Sequence, residues 1–474
     1  MSGIACLLFL LSTLCLAAPR TLRVDYYHTG NSHEEWFSLD RVVLEPLEWP
    51  GNLNKSIDES GLGNYLFEVR EQGSGKLVYS RGFNSIFGEW KDTDEALHAN
   101  RTFSESLRFP SPDVTVEVSL EERTLPEGAV GRAGAPVAPL VWKEVWKTVV
   151  DPKDKFVDRS RPTSPGALME LQKMGDPANK VDLLVIGDGY TAAERPKFEK
   201  DARRFRGALF STSPFREHQK DFNVWGLCPA AEESGVSRPS TGIYRRSPVG
   251  ASYDTFGSER YLMTMENRTL RDVASFAPYE FIEILVNGQT YGGGGIFNLY
   301  ATVAIDNQWA GYVGVHEFGH HFAGLADEYY TSDVAYLPPG QKTEPWEPNV
   351  TALLDPANLK WKDLVAAGTP VPTPWDEEQF NNFEHGIQKQ RRELRAEAKP
   401  EAEMDALFRR ERGEEDAMLG GGKYTGKVGA FEGANYQAKG YYRPEVDCIM
   451  FTRYDKFCAV CRRAIERVIG MYTE

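Results

Sequence analysis

His316-Glu317-Phe318-Gly319-His320 carries the clearest chemistry in this chain. Two histidines four residues apart on a helix lie on one face, about one turn from each other, so both rings can reach a single Zn2+. The carboxylate between them can take the proton of a water activated there. The sequence has eight histidines in 474 residues, so this pairing rarely arises by chance.

A catalytic zinc site needs three protein ligands and one open position for water. Gly324 falls four residues after His320 and can end the helix by taking a positive φ. Asp327 follows three residues later, within reach of the same metal, and Glu328 is its neighbour. Asp327 is the favoured third ligand. A helix running on through Gly324 would instead require a ligand from a later helix. His321 points about 100° away round the helix and should not share the metal. Glu317 is the expected general base, passing the proton on to the leaving amine, while the metal polarises the scissile carbonyl.

These residues need elements to position them. Residues 20–125 read as an N-terminal β-sandwich, with short runs such as Leu22–Tyr27, Tyr65–Arg70, Lys76–Ser80 and Val114–Leu120 separated by turn residues. His28 and His33 read there as loop histidines. Residues 126–178 read as a linker and connecting segment that packs against both domains. Residues 179–474 form the expected catalytic domain, α+β or α/β, with a mixed sheet behind the active-site helix. Its strands are expected at Val181–Gly187, Phe222–Leu227, Glu280–Val286 and Ala301–Ile305. A capping box, Thr191 with Glu194, opens a helix running to about Phe210. Gly292–Gly295 lacks the ending of a phosphate loop and reads as a flexible turn beside an edge strand. Residues 296–302 are the expected edge that binds an extended peptide. Residues 376–416 are charge-rich and read as a solvated helical insertion, split by Pro400 and carrying a surface His385.

Bulk properties narrow the partners. A net charge of −15 argues against nucleic acid or an anionic membrane. The apolar run Ile4–Ala18 is too short to span a membrane and fits a signal peptide over residues 1–18, which implies a secreted protein. Cleavage there would remove Cys6 and Cys15 and leave Cys228, Cys448, Cys458 and Cys461. At least one disulfide is expected among Cys448, Cys458 and Cys461. A zinc ribbon would need a second Cys-x-x-Cys pair, and the sequence has none. Met450 is a candidate for a methionine turn beneath the metal, with an ordinary core methionine the equal alternative. Tyr441 and Tyr442 are candidate hydrogen-bond donors to the transition state.

The segment His316-Glu-Phe-Gly-His-His-Phe-Ala-Gly-Leu-Ala-Asp-Glu-Tyr-Tyr330 resembles the active-site segment of the IgA-peptidase family of zinc metallopeptidases, metallopeptidase family sixty-four. Arg23–Gly30 is similar to the start of that family's N-terminal β-domain, and Val181–Tyr190 to the first strand of its catalytic domain. Gly429–Ala434, Tyr442-Arg-Pro444 and the Cys448/Met450/Cys458/Cys461 cluster resemble its C-terminal region. The resemblance implies a secreted, metzincin-like endopeptidase with zinc on His316, His320 and Asp327 and with Glu317 catalytic. The spacing before Gly324 is one residue longer than in the commoner metzincin pattern, and 376–416 has no counterpart in that resemblance. The expected partner is a protein or peptide substrate. Two other readings remain: a zinc hydrolase of a non-peptide amide, and a non-enzymatic binding protein with a structural zinc site.

Overall fold

A computed structural model describes residues 18–126, 140–337 and 342–473. The proposed signal segment before Ala18 and most of the Pro/Gly/Ala linker lie outside the described residues. No described helix is long and apolar enough to cross a membrane.

The first unit comprises β1 (Arg20–Gly30), β2 (Glu35–Glu48), β3 (Tyr65–Glu71), β4 (Leu77–Phe83), the short helix α1 (Ile86–Trp90), β5 (Arg101–Pro110), β6 (Val116–Thr124) and β7 (Val141–Val150). Two antiparallel sheets, ordered β2-β1-β5 and β4-β3-β6-β7, pack face to face. Alternation builds the core between them. Leu22, Val24 and Tyr26 from β1 meet Phe67 and Val69 from β3 and Val116 and Val118 from β6. This is the expected β-sandwich. The stretch expected as a connection supplies one strand to each unit: β7 closes the sandwich sheet, and β8 (Met169–Gln172) joins the next one.

His28 corrects the loop reading. It lies within β1, buried, with Nδ1 3.1 Å from Glu105 and Nε2 3.0 Å from Glu35. Paired carboxylates on both ring nitrogens explain why a histidine can sit in a sandwich interior. His33 does lie in the β1–β2 loop and is exposed.

The second unit is built on a six-stranded sheet, ordered β14-β15-β13-β9-β10-β8. Its strands are β8, β9 (Val181–Asp188), β10 (Phe222–Leu227), β13 (Phe281–Val286), β14 (Gly293–Ile296) and β15 (Tyr300–Ala304). The four central strands run parallel, and β8 and β14 close the edges antiparallel. Both faces are covered. Leu183 and Val185 of β9 enter a core with α2 (Arg195–Leu209), while Leu184 and Ile186 face a second core shared with Phe87 and Trp90 of the sandwich unit. The Thr191–Glu194 capping box forms as expected. A small hairpin, β11 (Ala251–Ser252) with β12 (Met263–Thr264), and α3 (Asn267–Ala274) lie between β10 and β13.

The glycine run departs from expectation. It is itself the edge strand β14, and residues 300–304 form an interior strand. The cause is the close approach of α4 (Ala310–Ala323): a Cβ on Gly295 would lie 2.2 Å from the Glu317 carbonyl oxygen. Only glycine lets the strand run directly under the helix.

After α4 come α5 (Glu377–Ala396), α6 (Glu401–Leu419), the hairpin β16 (Phe431–Ala434) and β17 (Gln437–Arg443), and α7 (Ala459–Thr473). Two helices divided by Pro400 match the expectation, but a solvated insertion does not. Phe380, Ile387, Met404, Leu407 and Phe408 pack into the main core. Glu384, Glu411 and Glu415 are buried too, which is why these helices look more solvated in sequence than they are. His385 is exposed, as expected.

A buried ion network joins the units. Arg23 bonds Asp25 at 2.8 Å, Glu45 at 3.2 Å and, across the junction, Asp272 of α3 at 2.6 Å. Replacing Arg23 by Ala should destabilise the protein by about 3 kcal/mol, the low end for breaking a buried ion pair, because Asp25 keeps Arg41 at 2.7 Å and Glu45 keeps Arg108 at 3.0 Å. The midpoint of denaturant unfolding checks this, and an unchanged midpoint would refute it.

Candidate metal centre

Helix α4 follows β15 directly and carries His316, Glu317 and His320 on one face. It ends at Gly324, which takes the left-handed conformation (φ 59°, ψ 35°) and donates its N–H to His320 O at 3.0 Å. The reversal returns the chain beneath the helix and delivers Asp327.

His316 Nε2 and His320 Nε2 lie 3.1 Å apart. Asp327 Oδ1 is 3.0 Å from the first and 3.2 Å from the second. Three ligands of a tetrahedral ion bound at about 2.0–2.1 Å stand about 3.3 Å from one another. The second ring nitrogens are committed elsewhere: His316 Nδ1 donates to Ile449 O at 2.8 Å and His320 Nδ1 to Leu325 O at 2.5 Å. In the neutral rings both Nε2 atoms are then lone-pair acceptors facing a carboxylate oxygen. Asp327 Oδ1 is buried and accepts no hydrogen bond among the described residues. Three converging acceptors without a donor fit a divalent cation.

Without the ion, a proton supplies the positive charge. Burial opposes charging His320, but the adjacent Asp327 carboxylate outweighs it and raises the imidazolium pKa to about 9. Asp327 is held well below the usual carboxylate range: burial works against its charge, and His320 and His316 overcome that. Glu317 behaves oppositely. Burial raises its pKa, and the two histidines only partly offset the rise.

Supporting groups come from distant segments. The β16–β17 hairpin turns at Asn435 (φ 52°) and Tyr436 (φ 61°), and Tyr436 Oη donates to Asp327 Oδ2 at 2.6 Å. A tyrosine in the left-handed region is strained, and here the strain aims its hydroxyl at Asp327. Tyr329 stacks on His316 and accepts from Arg260 Nη2 at 2.9 Å. Met450 is fully buried, with its sulfur under α4 at Gly319, and its tight turn also presents the Ile449 carbonyl to His316. A methionine turn and an ordinary core methionine both fit that position.

All of this opens into one cleft of about 920 Å³. Glu89 and Lys91 of the sandwich unit, Gly293–Gly295 of β14 and Glu384 of α5 line it together with His316, Glu317, His320 and Asp327. Tyr441 also lines the cleft, whereas Tyr442 lies outside the lining and its hydroxyl bonds Glu432 at 3.4 Å. His321 stays out of the centre. It accepts from Ile282 N–H and donates to Ile296 O, and burial depresses its pKa to about 3. The expected disulfide is absent: Cys448, Cys458 and Cys461 are buried free thiols, and Cys448 Sγ stands 3.8 Å from Cys461 Sγ.

Sequence reasoning missed Tyr436, Tyr329 and Arg260. Asn435 was a readable turn signal, but nothing local revealed where the turn would point. Arg260 precedes a strand too short to show any periodicity.

The sheet, the helix and the cluster of His316, His320 and Asp327 have the make-up of a metallopeptidase site. The IgA Peptidase M64 family profile matches residues 169–469, and the Peptidase M64 N-terminus profile matches residues 16–128. The chain therefore belongs to the IgA Peptidase M64 family. No curated protein matches it.

Two outcomes follow for metal binding. Asp327→Ala should lose most of the metal held by the wild type, read by elemental analysis, and full retention would move the third ligand elsewhere. Because His320 keeps its proton up to about pH 9 in the metal-free protein, the ion must displace that proton. Metal affinity at this centre should therefore rise with pH towards about 9, with proton release visible in calorimetry across buffers of different ionisation enthalpy. A pH-independent affinity would contradict it.

Proposed function

We propose that this protein is a secreted, zinc-dependent endopeptidase in which Glu317 is the general base. The observation that carries the reading is the cluster of His316 Nε2, His320 Nε2 and Asp327 Oδ1, mutually 3.0–3.2 Å apart, with the Glu317 carboxylate alongside. Two imidazoles and a carboxylate with one side open to a cleft suit a catalytic rather than a closed zinc site. Export rests on the apolar run Ile4–Ala18, and a polypeptide substrate on the family and the cleft.

When bound, zinc would acidify a water and polarise the scissile carbonyl. Glu317 takes the proton from the attacking water and delivers it to the leaving amine. Burial raises its pKa, which makes the protonated form accessible for the second transfer. Tyr436 fixes the Asp327 carboxylate so that Oδ1 stays turned towards the histidines.

The edge strand β14 offers the backbone for an extended substrate. Gly293 already pairs outward with Arg260 and Leu262, and the next outward-facing residue is Gly295, beside Glu317. The cleft is walled by the sandwich unit, β14 and α5, so the substrate chain can continue past the reacting bond.

Glu317→Gln should lower kcat by about 10²- to 10⁴-fold and leave metal content intact. Near-normal turnover in that variant would sink the assignment. Casein and a panel of non-peptide amides, each with and without chelator, test the substrate class. Chelator-sensitive hydrolysis of the amides alone would replace the peptidase reading with the amide-hydrolase one.

A further inference from the structure

Cys448, Cys458 and Cys461 converge on Glu328, and all four side chains are buried. One candidate ligand atom from each lies within 4.8 Å of every other. Cys448 Sγ is 3.8 Å from Cys461 Sγ, and Cys461 Sγ is 3.4 Å from Glu328 Oε1. A tetrahedral ion with sulfur at about 2.3 Å and oxygen at about 2.0 Å sets sulfur about 3.8 Å from sulfur and about 3.5 Å from oxygen. Both observed edges match that figure.

Backbone donors and a helix terminus point at these sulfurs. The Cys458 N–H donates to Cys448 Sγ at 3.3 Å and the Cys461 N–H to Cys458 Sγ at 3.4 Å. Cys458 immediately precedes α7 and Cys461 lies in its first turn, where the helix dipole stabilises negative charge. A separate sign comes from Glu328. Its Oε1 accepts from Asn349 Nδ2 at 2.9 Å, but its Oε2 is buried with no hydrogen-bond partner among the described residues. Leaving a buried carboxylate oxygen unsatisfied is costly, and a cation would satisfy it. A disulfide would use two of the three sulfurs and leave the third buried beside that carboxylate.

We propose that Cys448, Cys458, Cys461 and Glu328 form a second metal site, a closed structural site for zinc or a similarly thiophilic divalent ion, separate from the histidine centre. On binding, the three thiols release their protons to solvent and the ionised carboxylate completes the tetrahedron. All four positions belong to the protein, so the site has no opening for substrate. It ties two segments that serve the catalytic cleft to the start of α7. Glu328 follows the third ligand Asp327, and Cys448 precedes Ile449, whose carbonyl orients His316. Glu328 N–H also donates to Met450 O at 2.8 Å, which closes the link between them.

The test uses the full-length protein purified with zinc. Elemental analysis should give two ions per chain in the wild type and one in the double variant His316→Ala/His320→Ala. After cobalt substitution, the double variant should keep sulfur-to-cobalt charge-transfer absorption, and Cys458→Ser should lose it. Because the double variant retains every cysteine, the result does not depend on the Cys458 variant folding. The proposal is overturned if the wild type holds one ion and the double variant none. It is equally overturned if the cobalt-loaded double variant shows no charge-transfer absorption, or if mass mapping of metal-loaded protein finds a disulfide among these cysteines.

Discussion

Two imidazole nitrogens and a carboxylate oxygen held within about 3 Å of one another need a positive charge among them, from a metal ion or from a proton. That constraint organises the catalytic domain. The left-handed turn at Gly324 brings Asp327 under α4. The carbonyls of Leu325 and Ile449 turn the two imidazoles so that both Nε2 atoms face inward. The turn around Met450 fixes the height of the Ile449 carbonyl, and Tyr436 holds the outer oxygen of Asp327. Each of these contacts joins the ligands to a different part of the chain, so the centre can be preorganised only when the whole domain is folded.

The parts of this arrangement that were legible in sequence are the local ones. His316 and His320 share a face because helical spacing requires it, and Gly324 announces a helix end through the one residue type suited to left-handed backbone. The capping box at Thr191 and Glu194 and the alternation in β1 and β3 are of the same kind. The parts that were not legible depend on contacts distant in sequence. The carbonyl of Ile449 has no side-chain signature at all, and Tyr436 reaches Asp327 only through a hairpin far along the chain. The fourth member of the cysteine cluster, Glu328, lies 120 positions before Cys448 and outside any Cys-x-x-Cys spacing. Hydropathy also misled in two places. Glycine in β14 looked like a turn because steric closeness to α4, rather than conformational freedom, selects it. Buried carboxylates on α5 and α6 looked like a solvated surface.

Polar chemistry at the unit junction is the second organising feature. Arg23, Asp25 and Glu45, all buried, and the half-buried Asp272 form a network between β1, β2 and α3, while Phe87 and Trp90 of α1 enter the core behind β9 and β13. The sandwich unit is thus fused to the sheet by both ionic and apolar contacts. It also contributes directly to the cleft, where Glu89 accepts from Tyr336 Oη at 2.8 Å.

That shared wall limits modularity. A domain tethered by a flexible linker can be exchanged, duplicated or lost while the enzyme keeps its chemistry. Here the cleft is itself a seam between two units, so recombination at the boundary would rebuild its walls each time. Loops on either side of the seam can therefore reshape the cleft one at a time, whereas exchanging a whole unit would remove one of its walls.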